Sequence, residues 1–429
     1  MERKMVTSAS FLLCTFLLHF NLLHEVTGNE MSEIILEGGI GDGTYNNCPP
    51  PPFTSPFENE RIERAYHVIQ EFKPRITSDP KRFLDTWNGP DVCNYRGFRC
   101  DIFPNTKDRA VSGINFNGAA FSGTNFNLSG LLDRLPDLVF FHANSNNFTG
   151  TIPKEIIQYK YFYELDMSNN KFCGEFPKEI LGAKQLTFID LRFNKLYGSI
   201  PPELFMLDVD VIFINNNCFN QKLPDNFGFT PASYITLANN QFIGPIPKSI
   251  GQASETLSEV LLLNNHFSGC LPYEIGFLKN AKVFDASLNE LTGPIPQSFA
   301  CLEKMQFLNL TGNRLYGPVP ELVCKLPNLY ALSLSNNYFT EVGPECRNLI
   351  TKKVLDVSMN CIPGFPNQKS KDECATFCST PKYCPSEISL TIVPCKNYYL
   401  SSPNTSDYQP KAAAPSPVTY NALKQPRLS

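Results

Sequence analysis

Two aspartates come nearest to catalytic chemistry in this chain. Asp166 and Asp190 hold the same place in two similar stretches, Leu165-Asp-Met-Ser-Asn-Asn170 and Ile189-Asp-Leu-Arg-Phe-Asn194. Side by side, their carboxylates would lie about 5 Å apart, the separation at which one carboxylate attacks a glycosidic carbon while the other serves as acid and base. Asp285 and Asp356 fill the same place elsewhere, however, and a flat strand surface lacks the water-excluding pocket that such chemistry needs. His67, His142 and His266 stand at no recognisable spacing from a nucleophile and an orienting acid. Cys374-x-x-x-Cys378 has no accompanying histidine pattern, so disulfide bonding is the expected use of these thiols rather than zinc. The expectation is a protein with no catalytic residue, no metal site and no cofactor.

The elements that would position these residues are written in a repeat. Asparagine recurs at 146, 170, 194, 217, 240, 265, 289, 313, 337 and 360, always 23 to 25 residues after the last. Each is preceded by an apolar alternation, as in Ile212-Phe-Ile-Asn-Asn-Asn217, and followed by an apolar residue two places on. A Gly commonly follows at four, then Ile-Pro, as in Gly198-Ser-Ile-Pro201. A short strand places the alternate apolar residues inward, and the asparagine turns the chain while its amide satisfies backbone groups of neighbouring coils. One coil cannot bury its own apolar face, so coils stack on a shared core. The pattern predicts an α/β solenoid, a plant-type leucine-rich-repeat horseshoe of about eleven coils over residues 111–366, whose strand sheet runs roughly 50 Å. A helical N-terminal cap is expected over 57–110, where Ile62, Tyr66, Ile69 and Phe72 recur at helical spacing. Cys346, Cys361, Cys374, Cys378, Cys384 and Cys395 crowd the other end and predict a disulfide-stapled, Cys-rich cap with a hinge at 367–400.

That strand surface is the better place to look for function. Its outward positions carry Glu164, Asp166, Asp190, Asp210, Glu259, Asp285 and Asp356 against Arg192, Lys282 and Lys353. The aromatic residues Phe140, Tyr163, Phe188, Phe193, Phe213 and Tyr234 fall on contiguous coils beside them, with Asn215 between. Exposed aromatic rings among charges have the character of interface anchors, and an acidic rim favours a basic ligand. The expected binding set is Glu164, Asp166, Phe188, Asp190, Arg192, Phe193, Phe213, Asn215 and Tyr234. Asn309 points outward from the ninth coil within Asn309-Leu-Thr311. A glycan there would close the C-terminal end of the surface and leave the N-terminal half for a ligand.

Composition agrees with a folded, secreted binding protein. Of 429 residues, 42% are hydrophobic and 18% charged, and the net charge of −4 provides no basic surface for nucleic acid. Arg3 and Lys4 precede an apolar run from Phe11 to Leu23 and small residues at 26–28, which predicts a signal peptide over 1–28 and secretion. A Pro-containing linker is expected over 29–56 and an unstructured tail over 401–429, with no membrane span between. Cys14 leaves with the leader, and 15 − 1 = 14 cysteines remain, a disulfide-compatible even count. Asn127, Asn147, Asn309 and Asn404 lie in glycosylation sequons. Cys173 and Cys218 stand two coils apart, about 10 Å by strand spacing, too far to bridge.

Several stretches resemble the leucine-rich repeat extensin family: Phe57-Glu-Asn-Glu-Arg, Asp91-Val-Cys-Asn-Tyr-Arg-Gly-Phe-Arg-Cys100, Phe141-His-Ala-Asn-Ser-Asn146 and Phe284-Asp-Ala-Ser-Leu-Asn-Glu-Leu-Thr-Gly-Pro294. The likeness spans roughly Phe57 to Cys395. It implies a plant cell-wall protein of the apoplast whose repeat domain binds basic, cysteine-rich rapid alkalinization factor peptides, acts in wall integrity and growth, and pairs as a homodimer. Pectin or a receptor kinase are further partners under this resemblance. Similarity to the plant N-terminal cap implies a short disulfide loop, Cys93 to Cys100. The family's long Ser-Pro run is expected to be missing, since only Ser402-Pro403, Ala414-Pro415 and Ser416-Pro417 hint at it. Inhibition of a wall-degrading enzyme such as polygalacturonase, or a structural role as a wall glycoprotein, are the alternative functions.

Overall fold

The computed structural model describes residues 55–380, 384 and 390–396; the signal peptide expected over 1–28, nearly all of the linker expected over 29–56, the tail expected over 401–429 and Asn404 lie outside the described residues. The described residues open on helix α1, Glu60–Phe72, two of whose free N–H groups, on Arg61 and Ile62, are taken by the Asn59 side chain. Its Ile62, Ala65, Val68, Ile69 and Phe72 are buried, while Tyr66 stays at the margin. Behind it, Trp87 is fully buried, donates Nε1–H to the Arg96 carbonyl at 2.9 Å, and packs edge-on against Phe98 and Phe121. The bond between Cys93 and Cys100 closes this cap.

Strands β1, Phe98–Ile102, and β2, Arg109–Asn115, form an antiparallel hairpin. The 110/111 boundary expected between cap and repeats therefore falls inside a strand: β2 belongs to both. From β2 onward ten more strands add in parallel, from Phe140–His142 through Leu355–Asp356, completing a 12-stranded sheet. The solenoid with its helical N-terminal cap and Cys-rich C-terminal cap is thus borne out. Consecutive strands pair without slippage, Asp166 on Asp190 and Asp190 on Phe213. Register is fixed because the middle residue of each strand, Leu165 or Ile189 or Ile212, is buried, and a one-residue slip would turn it to solvent.

After each strand the asparagine does what its spacing demands. Asn240, 8% exposed, donates Nδ2–H to Ile214 O of the preceding coil and to Leu237 O of its own, and accepts Phe219 N–H at 3.1 Å. The apolar residues two places on stack into a spine, with Phe148 on Phe172, Phe219 on Phe242 and Phe242 on Phe267. The residues that lead into the Gly-x-Ile-Pro segments form two further parallel sheets of four and five strands along one flank. The prolines that follow, such as Pro153, Pro201 and Pro247, sit in extended conformation just before single 3-10 turns.

At the far end, helix α2, Pro344–Thr351, precedes the last strand, and helix α3, Lys371–Ser379, opens on a Ser370/Glu373 capping box. The terminal cysteines do not staple only one another. Cys361 bonds Cys374, but Cys346 bonds Cys324, Cys384 bonds Cys270 and Cys395 bonds Cys301. The Cys-rich segment thus runs back along the five-stranded flank, where Phe377 stacks on Tyr338. Cys173, Cys218 and Cys378 are exposed and unbridged. Among the described residues no helix is long and apolar enough to cross a membrane.

Candidate functional site

The 12-stranded sheet presents its outward residues in rows, and the rows over coils two to six differ from the rest. Phe188 and Phe213 meet edge to face at 6.3 Å, and the Arg192 guanidinium lies 5.0 Å from the Phe213 ring. Arg192 Nε is also 2.9 Å from Asp190 Oδ2. One coil toward the N-terminus, His142 Nε2 sits 2.9 Å from Glu164 Oε2, and the His142 ring packs on Phe140. Tyr234 flanks Phe213's strand on the other side. Glu164, Asp166, Phe188, Asp190, Arg192, Phe213, Asn215 and Tyr234 therefore occupy one continuous surface.

Their exposure departs from the expectation. Glu164, Asp190 and Phe213 are 7%, 1% and 8% exposed, because neighbours a strand spacing away press on them from both sides. Burial, with Asp166 alongside, pushes the Asp190 carboxyl well above the usual carboxylate range, against the pull of Arg192. Phe193 does not lie on the strand. It sits in the turn before Asn194 with φ +54°, half exposed, in the left-handed conformation that Asn169, Asn216, Asn239 and Asn264 adopt in their own coils. Asn215 gives Nδ2–H to Asn216 Oδ1 at 2.7 Å, and its own buried Oδ1 has no hydrogen bond.

The recurring aspartates have a local task that the sequence reading missed. Oδ1 of Asp166 accepts the N–H of Ser168, that of Asp190 the N–H of Arg192, that of Asp285 the N–H of Ser287, and that of Asp356 the N–H of Ser358. Asn309 does the same for Thr311. Each side chain closes the strand end by capping a backbone donor two residues on. The Asp-x-Ser pattern was the available signal. With half of each carboxylate so engaged, the surface is less freely acidic than a count of acids implies.

Glu259, on the seventh coil, is different. It has no such partner, and burial lifts its carboxyl to about 7 from the ordinary 4.5. A folded-state pKa raised above the unfolded one favours the fold fully below pH 4.5, and that contribution is lost as pH rises toward 7. Glu259→Gln should therefore gain stability over the native chain between pH 4.5 and 7 and hold the gain above. Its ceiling is roughly 3 kcal/mol, reduced by partial solvent contact. Chemical denaturation at pH 4.5, 6 and 8 checks this; a difference that does not grow with pH would contradict it.

Among the described residues no group of three or more His, Cys, Asp or Glu could hold a metal ion. The expected sequon residues are placed as follows. Asn127 Oδ1 accepts from Arg75 Nη2 and Ser129 N; Asn147 is half-buried beside the first spine phenylalanines; Asn309 lies on the outward face of its strand, Phe307–Asn309.

Comparisons with known proteins agree with this architecture. The leucine-rich-repeat family model matches residues 185–207. Leucine-rich repeat extensin-like protein 2 of Arabidopsis thaliana is 51% identical over 356 residues, 82% of this chain and 44% of that protein. Leucine-rich repeat extensin-like protein 6 of the same plant is 49% identical over 343 residues, 80% of this chain and 72% of that protein. The chain thus spans less than half the length of the first of these. Among solved structures, the leucine-rich-repeat ectodomain of the plant membrane receptor kinase GASSHO1/SCHENGEN3 from Arabidopsis thaliana, in complex with CASPARIAN STRIP INTEGRITY FACTOR 2, superposes with a TM-score of 0.61 at 26% identity, over 69% of this chain and 35% of that one.

Proposed function

Because the chain belongs to the leucine-rich repeat extensin-like family, we propose that it is a secreted wall or apoplastic protein that binds a basic, cysteine-rich peptide of rapid alkalinization factor type on coils two to six. It acts in wall integrity and growth as a binding protein rather than an enzyme. The observation that carries this reading is the contiguous patch of Phe140, His142–Glu164, Phe188, Arg192–Asp190 and Phe213 with Tyr234 at its edge. Rigid aromatic residues and a guanidinium whose neighbours already fix its position lose little freedom on binding, which is what anchors of a protein interface require. Asp166, whose Oδ1 alone is taken by Ser168, supplies an acceptor for a cationic ligand. That the leucine-rich-repeat ectodomain of GASSHO1/SCHENGEN3 was solved in complex with CASPARIAN STRIP INTEGRITY FACTOR 2 supports the reading by analogy of fold.

The test is calorimetric titration of the secreted protein with a basic rapid-alkalinization-type peptide. Phe188→Ala with Tyr234→Ala should weaken binding by 30-fold or more, on the order of 2 kcal/mol or above, while thermal unfolding shows that the variant stays folded. Wild-type protein that binds nothing, or a double variant that binds equally well, rejects the proposal. Asp190→Ala is the wrong probe, since it would leave Arg192 without its charge partner and disturb the sheet itself.

A further inference from the structure

The concave sheet changes character at its tenth coil. Where coils two to six carry large side chains, the outward residues here are small: Ala331, Ser333 and Ser335. Beside this floor stand two aromatic rings in parallel, Phe307 and Tyr330, with centroids 6.0 Å apart and planes 16° apart. Tyr330 is 74% exposed, the highest value among the large exposed apolar side chains of the described residues. A ring displayed to that degree is an unusual use of a tyrosine, and its open face is available to a group that lies against it.

The occupant is written into the same strand. Asn309-Leu310-Thr311 is a sequon, and Asn309 shares the outward face of its strand with Phe307, two residues away. Asn309 Nδ2 donates to Asp285 Oδ2 at 2.9 Å, and Asn309 Oδ1 accepts Thr311 N–H at 3.1 Å. A glycosylated amide keeps one N–H and its carbonyl oxygen. Both would already be satisfied here, leaving the bond to the sugar to project over the small-residue floor.

We propose that Asn309 carries an N-linked glycan whose first sugars rest on Ala331 and Ser333 and against the Phe307–Tyr330 pair, closing the C-terminal third of the concave face to other ligands. Attachment transfers an oligosaccharide from a lipid-pyrophosphate donor. The bond from sugar C1 to Asn309 Nδ2 forms, the C1–O bond to pyrophosphate breaks, and the amide proton leaves with the departing pyrophosphate. The amphipathic faces of pyranose rings lie well on aromatic carbon, while their hydroxyls find Ser333 and Ser335. The sequons at Asn127 and Asn147 lie elsewhere on the chain and provide comparison sites in the same molecule.

The full chain, produced through a secretory pathway that leaves high-mannose glycans, is mapped by glycopeptide mass spectrometry and then digested with endoglycosidase H, native and denatured. Asn309 should be occupied. Its glycan should be released at least 10-fold more slowly from native than from denatured protein. Tyr330→Ala, an exposed substitution that the fold tolerates, should abolish that protection. An unoccupied Asn309, a glycan released equally fast from native protein, or protection that survives Tyr330→Ala each overturns the proposal. No peptide enters this experiment, so its outcome is independent of the binding reading above.

Discussion

Asn265→Ala should remove about 3–5 kcal/mol from the stability of the solenoid. The side chain is 5% exposed and makes four hydrogen bonds. It donates to Leu237 O of the preceding coil and to Leu262 O and Leu263 O of its own, and it accepts Phe242 N–H across the coil boundary at 3.0 Å. Alanine leaves the Phe242 N–H buried and unpaired, at about 1–3 kcal/mol, and takes one of two donors from each of Leu237 O, Leu262 O and Leu263 O, at about 0.5–1.5 kcal/mol apiece. The damage falls on an interface between coils. Because each coil touches only its neighbours, weakening one interface also lets the two halves unfold separately. Urea unfolding followed by circular dichroism should show an earlier and broader transition. Asn264→Gly is the control. Asn264 is exposed with φ +52° and makes one hydrogen bond, to Asn239 Oδ1, so glycine there should change stability by less than about 1 kcal/mol. Equal effects of the two substitutions would refute the structural role assigned to the asparagine row.

The contrast between these adjacent asparagines shows what the sequence makes legible. Asn265 is readable because its hydrogen bonds are made to backbone at fixed offsets, and only a residue in register can make them. The row of parallel strands follows from the same kind of constraint, whereas the Cys93–Cys100 loop was legible through the resemblance of the N-terminal cap. The surface is less readable, since what an outward side chain does depends on its neighbour one strand away. Glu164 reads as a free acid until His142, a whole coil earlier in the chain, is placed 2.9 Å from it. Asp190 reads as exposed until the strands on either side bury it. Phe193 occupies a turn position that other coils often give to asparagine, so counting outward residues from the strand start misplaces it by one. The terminal cysteines were legible as a stapled cap, but not as a clasp. Their partners Cys270, Cys301 and Cys324 are spread over three coils, and nothing in spacing alone selects them.

Gly293→Ala should open that clasp. Gly293 is the glycine of a Gly-Pro-Ile-Pro segment, and like its equivalents it has positive φ, +89°. Most equivalents would make only ordinary contacts: a Cβ at Gly269 would come no closer than 3.7 Å to Pro245, and one at Gly317 no closer than 4.0 Å to Pro294. At Gly293 a Cβ would stand 2.3 Å from Cys384 Sγ and 3.2 Å from Cys270 Sγ. The Cys270–Cys384 bridge, which joins residues 114 apart in sequence, is thus seated on a position that only glycine leaves open. Gly317→Ala should show the backbone penalty alone, about 1–2 kcal/mol. Gly293→Ala should show that penalty plus the loss of a bridge across a long loop, about 4–5 kcal/mol in chain-entropy terms. It should also expose two thiols more than the native chain on titration in denaturant, and the segment around Cys384 should become an early site of proteolysis. If the thiol count and the melting temperature of Gly293→Ala match those of Gly317→Ala, the bridge does not depend on this glycine. The Cys-rich segment would then be held to the flank chiefly by the Phe377–Tyr338 stack and the Cys301–Cys395 bond.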